Sequence, residues 1–152
     1  MRRIYKVESD YTKQEVGEII EGMTEYDRKP LWDFAEKMEF VDAYRKEDGS
    51  FDIEEGNEVT IIIADEWERK KMVELMHGFL DLSRYSIEDI TDAVLLGEHS
   101  EKTYKGIEEH MKPIFDMYLD LYLDQDAVLD KINKYGMASL TDRDKRVLEE
   151  NI

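Results

Sequence analysis

Residues 59–80 read VTIIIADEWERKKMVELMHGFL, and this stretch decides the fold class. Val59–Ala64 is a β-branched run, the residue type that suits a pleated, half-buried surface. Asp65 follows, with Glu68 three residues on. That spacing is a capping box, in which each side chain satisfies an orphan backbone N–H of the other. Met72, Leu75, Met76, Phe79 and Leu80 then recur at i, i+3, i+4, i+7 and i+8, the template of a helix with one apolar face. A strand followed at once by a capped amphipathic helix predicts an α+β chain.

Upstream, Phe40–Tyr44 and Phe51–Ile53 flank Glu47-Asp48-Gly49-Ser50, a turn signal. Glu54–Glu58 is polar, and Gly56-Asn57 reads as a second turn. With Val59–Ala64 these predict a small antiparallel sheet of two or three strands in the first half. Thr12 and Glu15 form another capping box, ahead of Val16, Ile19, Ile20 and Met23 at helical spacing. A second helix is expected from about Asp27. Pro30 lies in its first turn, where the missing N–H costs nothing. Leu31, Phe34, Ala35 and Met38 make its apolar stripe, with Trp32 at the flank.

Downstream, Ser86 and Asp89 predict the cap of a helix that buries Ile87, Ile90 and Val94 and stops at Gly97. A long helix is expected from Glu101 to Leu123, with Tyr104, Ile107, Met111, Ile114, Phe115, Tyr118 and Tyr122 on one face. Pro113 inside it predicts a kink or a break. Two short helices follow, Asp126–Tyr135 and Asp142–Asn151. Gly136 ends the first, and Thr141 with Asp144 caps the second. The expected fold is α+β and mainly α, with six or seven helices and a small two- or three-stranded sheet. Residues 1–124 are expected to form the main body, and residues 125–152 a C-terminal helical hairpin packed on it.

Composition narrows the function. The chain has 152 residues, 38 of them acidic and 21 basic, for a net charge of -17. Such a field repels phosphate backbones and anionic lipid, so neither nucleic acid nor membrane is expected as a partner. It favours basic protein surfaces. The hydrophobic fraction of 41% is enough for a core despite 39% charged residues. There is no cysteine, which excludes disulfides, thiolate catalysis and Cys-built zinc sites. Arg2 and Arg3 precede no apolar run, so Met1–Tyr11 is not read as a secretory signal. The longest apolar run is about six residues against the ~20 that span a bilayer, and a cytoplasmic protein is expected.

Chemical motifs are sparse. If Gly49 held the sixth position of an EF-hand loop, the first and third ligand positions would fall on Tyr44 and Lys46, which supply no carboxylate. His77, His99 and His110 form no metal-binding spacing and read as surface or rim residues. Nucleophile-elbow, P-loop, dinucleotide and kinase motifs are missing. Acidic pairs are plentiful, but spacing alone nominates no general acid and base. Neither a cofactor nor a metal is expected.

Asp116, Asp120 and Asp124 recur at i, i+4 and i+8 on one face of the long helix, with Leu119 and Leu123 beside them. Three readings stay open: a solvated face over packed leucines, a partner or self-association surface, and a carboxylate metal site needing ligands from other helices.

At the C-terminus, Leu129–Ile132, then Gly136, then Ser139–Thr141, then an acidic-basic helix with an inward Leu148 form a pattern. It resembles a short helical-hairpin module that closes a range of bacterial proteins, some rhomboid-family membrane proteins among them. The resemblance covers about the last 25 residues. It implies a bacterial source and a peripheral helical clip, and it carries no activity. Residues 141–152 hold four acids and three bases, too few bases for a helix that approaches phosphates.

The expected function is a non-enzymatic protein-interaction or regulatory domain. Its contact surface would be Asp116, Leu119, Asp120, Leu123 and Asp124, and its partner a basic protein surface or a second copy. The alternatives are an inhibitor or immunity-type protein that mimics nucleic acid, and a carboxylate- or metal-dependent enzyme.

Overall fold

Among the described residues five strands, not two or three, make the sheet. The computed structural model describes residues 2–98 and 108–150. Strands β1 (Arg3–Thr12), β2 (Glu39–Arg45), β3 (Phe51–Asp52), β4 (Asn57–Ala64) and β5 (Tyr85–Asp89) lie in the order β3-β2-β4-β1-β5. Every pairing is antiparallel. The expected hairpin region supplies β2, β3 and β4. The expectation of a small sheet fails at β1 and β5.

Each failure has a physical cause. β1 interleaves Lys6, Glu8 and Asp10 with its apolar residues, so it lacks a β-branched run. Pairing answers those charges: Lys6 meets Glu88 on β5 at 3.2 Å, and Glu8 binds Arg45 on β2. With partners in place β1 is flanked by strands on both sides, and Ile4, Tyr5 and Val7 are buried. Ser86–Asp89 was expected as a helix cap, yet its backbone pairs with β1, and Ile87 is exposed on the sheet edge. Asp89 still serves the helix behind it, because its carboxylate accepts the Thr91 N–H at 3.0 Å.

Helices α1 (Lys13–Glu21), α2 (Glu25–Ala35) and α3 (Glu66–His77) cover one face of the sheet. The capping boxes at Thr12/Glu15 and Asp65/Glu68 both form. α2 begins before Asp27, capped by Thr24, so Pro30 lies inside it rather than in its first turn. Helices α4 (Thr91–Leu95), α5 (Glu108–Tyr122), α6 (Gln125–Tyr135) and α7 (Asp142–Glu150) follow among the described residues. α4 and α5 pack on the opposite face, where Ile4, Val59, Ile61, Ile63, Val94, Met111, Ile114, Phe115 and Tyr118 form the larger core. α5 continues through Pro113. The expected helical turns at Tyr104 and Ile107 lie outside the described residues.

The alternation of β4 sorts its side chains. Val59, Ile61 and Ile63 enter the larger core, while Ile62 and Ala64 belong to the smaller one with Tyr5, Val7 and Met38. Gly56 permits the turn into β4: its φ is 124°, and an added Cβ would stand 2.3 Å from the Arg45 carbonyl oxygen. Among the described residues, no helix is long and apolar enough to cross a membrane.

Candidate functional site

The two faces of the sheet are filled differently. α4 and α5 sink fully buried side chains into their core. α1 and α2 bury no residue completely, and α3 buries only Glu68. Their apolar stripes (Val16, Ile19 and Ile20; Leu31 and Phe34; Met72, Leu75 and Met76) stand over the sheet around a cavity of about 270 Å³. Its wall is overwhelmingly hydrocarbon. Trp32 and Phe40 lie at its rim, 48% and 44% exposed.

The floor is polar at one place. Period-two alternation carries the inward face of β4 from Ile62 back through Thr60 to Glu58. Asp42 on β2 pairs directly with Thr60, and Tyr44 with Glu58. Tyr85 enters from β5. The Thr60 hydroxyl donates to Asp42 Oδ1 at 2.5 Å and lies 3.4 Å from Glu58 Oε1. Glu58 Oε2 and the Tyr85 hydroxyl are both shut off from solvent without a partner at full bonding distance. The two are still near enough to influence each other's ionisation.

This environment changes the Glu58 carboxyl. Burial, reinforced by the Asp42 charge, pushes its pKa up to about 7. Near neutral pH it therefore holds its proton part of the time. The Tyr85 hydroxyl is pushed up by burial and by Glu58, and stays protonated. Tyr44 is raised by burial, then by Asp42 and Glu58. Among the described residues the cavity wall contains no lysine, arginine or histidine.

Sequence reasoning saw the wall but not the floor. The stripes of α1, α2 and α3 were legible as apolar faces. By sequence Glu58 falls in the polar turn segment 54–58, and Tyr85 belongs to β5, whose strand character comes from its pairing with β1. The signal for Glu58 was available: counting back by two from Ile62 puts it on the inward face.

The aspartate ladder lies elsewhere, at the C-terminal end of α5. Asp116 binds Lys112 at 2.6 Å and Arg143 at 3.3 Å, and Asp120 binds Arg143 at 3.0 Å. Arg143 belongs to α7, so two rungs hold the hairpin to the body. Asp124 caps α6 by accepting the Ala127 N–H at 2.9 Å. Leu119 packs against the larger core and Leu123 is half-buried. Among the described residues, no three histidines or carboxylates converge as a metal would need.

The other expectations resolve locally. Asp48 and Asp52 accept backbone N–H groups two residues on, from Ser50 and Glu54. His110 Nε2 contacts the Asp42 carbonyl oxygen at 2.8 Å, and His77 is exposed at the end of α3. His99 lies outside the described residues.

Within the hairpin, Val128 is fully buried and Lys131 Nζ meets Asp144 Oδ2 at 2.7 Å, both side chains out of solvent. Asp144 also accepts the Thr141 N–H, and its N–H binds the Thr141 hydroxyl. A family described as of unknown function (DUF6576) matches residues 124–151, the segment whose helical-hairpin pattern the sequence had shown. The match covers less than half of the chain. No curated protein and no solved structure matches it.

Proposed function

We propose that this chain is a non-enzymatic ligand-binding domain whose cavity beneath α1–α3 takes a small molecule with an apolar body and one polar end. One observation carries the reading: an apolar cavity whose floor holds a carboxyl oxygen and a hydroxyl, both shut off from solvent and facing each other short of full bonding distance. Buried polar groups ordinarily find partners, and a convergent few in an apolar pocket are the usual mark of a small-molecule site. The volume of about 270 Å³ is near the lower end of such sites, which run ~300–1,000 Å³. The covering helices, half-buried rather than locked in a core, can repack around an occupant.

Nile red, an uncharged dye that fluoresces in apolar surroundings, tests this. The parent should brighten it saturably. Ala35→Trp places an indole in the cavity and should abolish the effect while circular dichroism stays unchanged. Equal dye binding by the folded variant, or none by the parent, would end the proposal. Chemical conversion of a bound ligand would move the reading to catalysis.

A second reading is contact with a basic protein surface. It draws on Asp126, Asp130, Glu149 and Glu150, which are exposed on the hairpin and form no ion pair among the described residues. Asp120 and Asp124 would join them, since each has only its Oδ1 engaged, by Arg143 and by the Ala127 N–H, whereas Asp116 has both oxygens held by Lys112 and Arg143. Such binding would weaken steeply with salt. Pulldown at low and high salt checks it, and capture of the same partner at both would remove the electrostatic basis.

A further inference from the structure

We infer that the molecule this cavity is built for is an apolar amine, held by its ammonium group between Asp42 and Glu58. The inference rests on the ligand-pocket reading above and adds the chemistry of the polar end. The argument is one of charge and hydrogen-bond capacity. Asp42 and Glu58 are the ionisable acids of the wall, and among the described residues no cation lines it. A carboxylate-headed ligand would meet two acids, the half-buried Glu58 and the solvent-exposed Asp42, with no counter-charge in the wall, a repulsion that nothing there offsets. An alcohol fits but brings one donor. An ammonium group brings three donors and a charge. It can give hydrogen bonds to Asp42 and to Glu58 Oε2, which is shut off from solvent and lacks a partner at full bonding distance, and the Thr60 and Tyr85 oxygens lie in the same cluster.

The binding step is a proton exchange without covalent chemistry. The amine enters as its ammonium, Glu58 gives its proton to solvent, and the bound pair is carboxylate and ammonium. Affinity should therefore fall as the pH drops below neutrality. The groups facing Glu58 are Asp42 and Tyr44 on β2 and Tyr85 on β5. Lys13 of α1 stands over the Tyr44 ring at 5.7 Å, and His110 of α5 touches the Asp42 carbonyl. α2 and α3 contribute no charged residue to the wall.

Three eight-carbon probes of one shape separate the possibilities: octylamine, 1-octanol and octanoate. Trp32 at the cavity rim reports binding by fluorescence, and calorimetry gives the affinity. Octylamine should bind at least about tenfold more tightly than octanol near pH 8, and octanoate least. The preference should shrink near pH 5. Glu58→Gln and Asp42→Asn should each remove most of it while octanol still binds. Glu21→Gln, at an exposed acid of α1 outside the wall, should leave it intact and so controls for the net charge. Octanol binding as well as octylamine, or a preference that survives both carboxyl variants, overturns this inference and leaves the cavity reading standing. Failure of all three probes together with Nile red overturns both.

Discussion

Glu58 couples the candidate site to stability through its proton. Its pKa is about 7 in the folded chain against 4.5 for the ordinary side chain. The folded state thus holds the proton more tightly than the unfolded state, and stability falls as pH rises through that window. Above both values the loss is complete, and below both it is absent. The full interval corresponds to on the order of 3 kcal/mol, of which about 2–3 kcal/mol is expressed between about pH 5 and pH 8. Acids with lowered pKa, such as Asp89, Asp116 and Asp144, act in the opposite sense and at lower pH, losing their contribution as they protonate. Urea unfolding of the parent and Glu58→Gln, near pH 5 and near pH 8, isolates the one group. The variant should gain stability relative to the parent on going to the higher pH, by about that amount. An unchanged difference between the two proteins would mean that Glu58 ionises as an exposed acid does.

Elements show where sequence reading reached and where it stopped. The helices announce themselves through local chemistry: the Thr12 and Asp65 caps and the stripes of α1, α3 and α5 need no partner to be legible. β1 and β5 do not, because what makes them strands is each other and β4. A run such as Lys6-Val7-Glu8 gains its meaning only when Glu88 and Arg45 arrive from positions far along the chain. The cavity floor was lost with them, since Tyr85 is on β5 and Glu58 sits before the obvious part of β4. The hairpin was the converse case, with boundaries read from Gly136 and Thr141 and its fastening hidden. Gly97, at φ 75°, leaves room for the Lys131 ammonium: an added Cβ would approach Nζ to 3.0 Å. Lys131→Met keeps the length of the stem and removes the charge, stranding Asp144 in a buried site. Breaking such a pair from one side costs about 3 kcal/mol or more. Thermal unfolding should show the loss, and hydrogen exchange should rise first across α6 and α7. A variant as stable as the parent would show that Asp144 finds water or another partner there.

At the scale of the molecule, the net charge of -17 sets attraction and repulsion against each other. Most ion pairs among the described residues are partly exposed, such as Lys29–Asp33 and Lys70–Glu66. Pairs of that kind contribute ~0–1 kcal/mol each. The repulsion acts over the whole surface and has no partner to cancel it, because carboxylates outnumber cations by 38 to 21. Salt screens both terms, but the long-range one more completely. Raising sodium chloride from ~0.01 M to ~1 M shortens the screening length from ~30 Å to ~3 Å. The short Lys131–Asp144 pair, out of solvent, should hardly respond. If relief of repulsion exceeds the loss of surface pairs by about 1–2 kcal/mol, the melting temperature should rise by roughly 3–8 °C. Chloride suits this test because sulfate would also strengthen apolar burial. A melting temperature that falls with chloride would mean that local pairs, Arg143 with Asp116 and Asp120 foremost, outweigh the field of the whole chain.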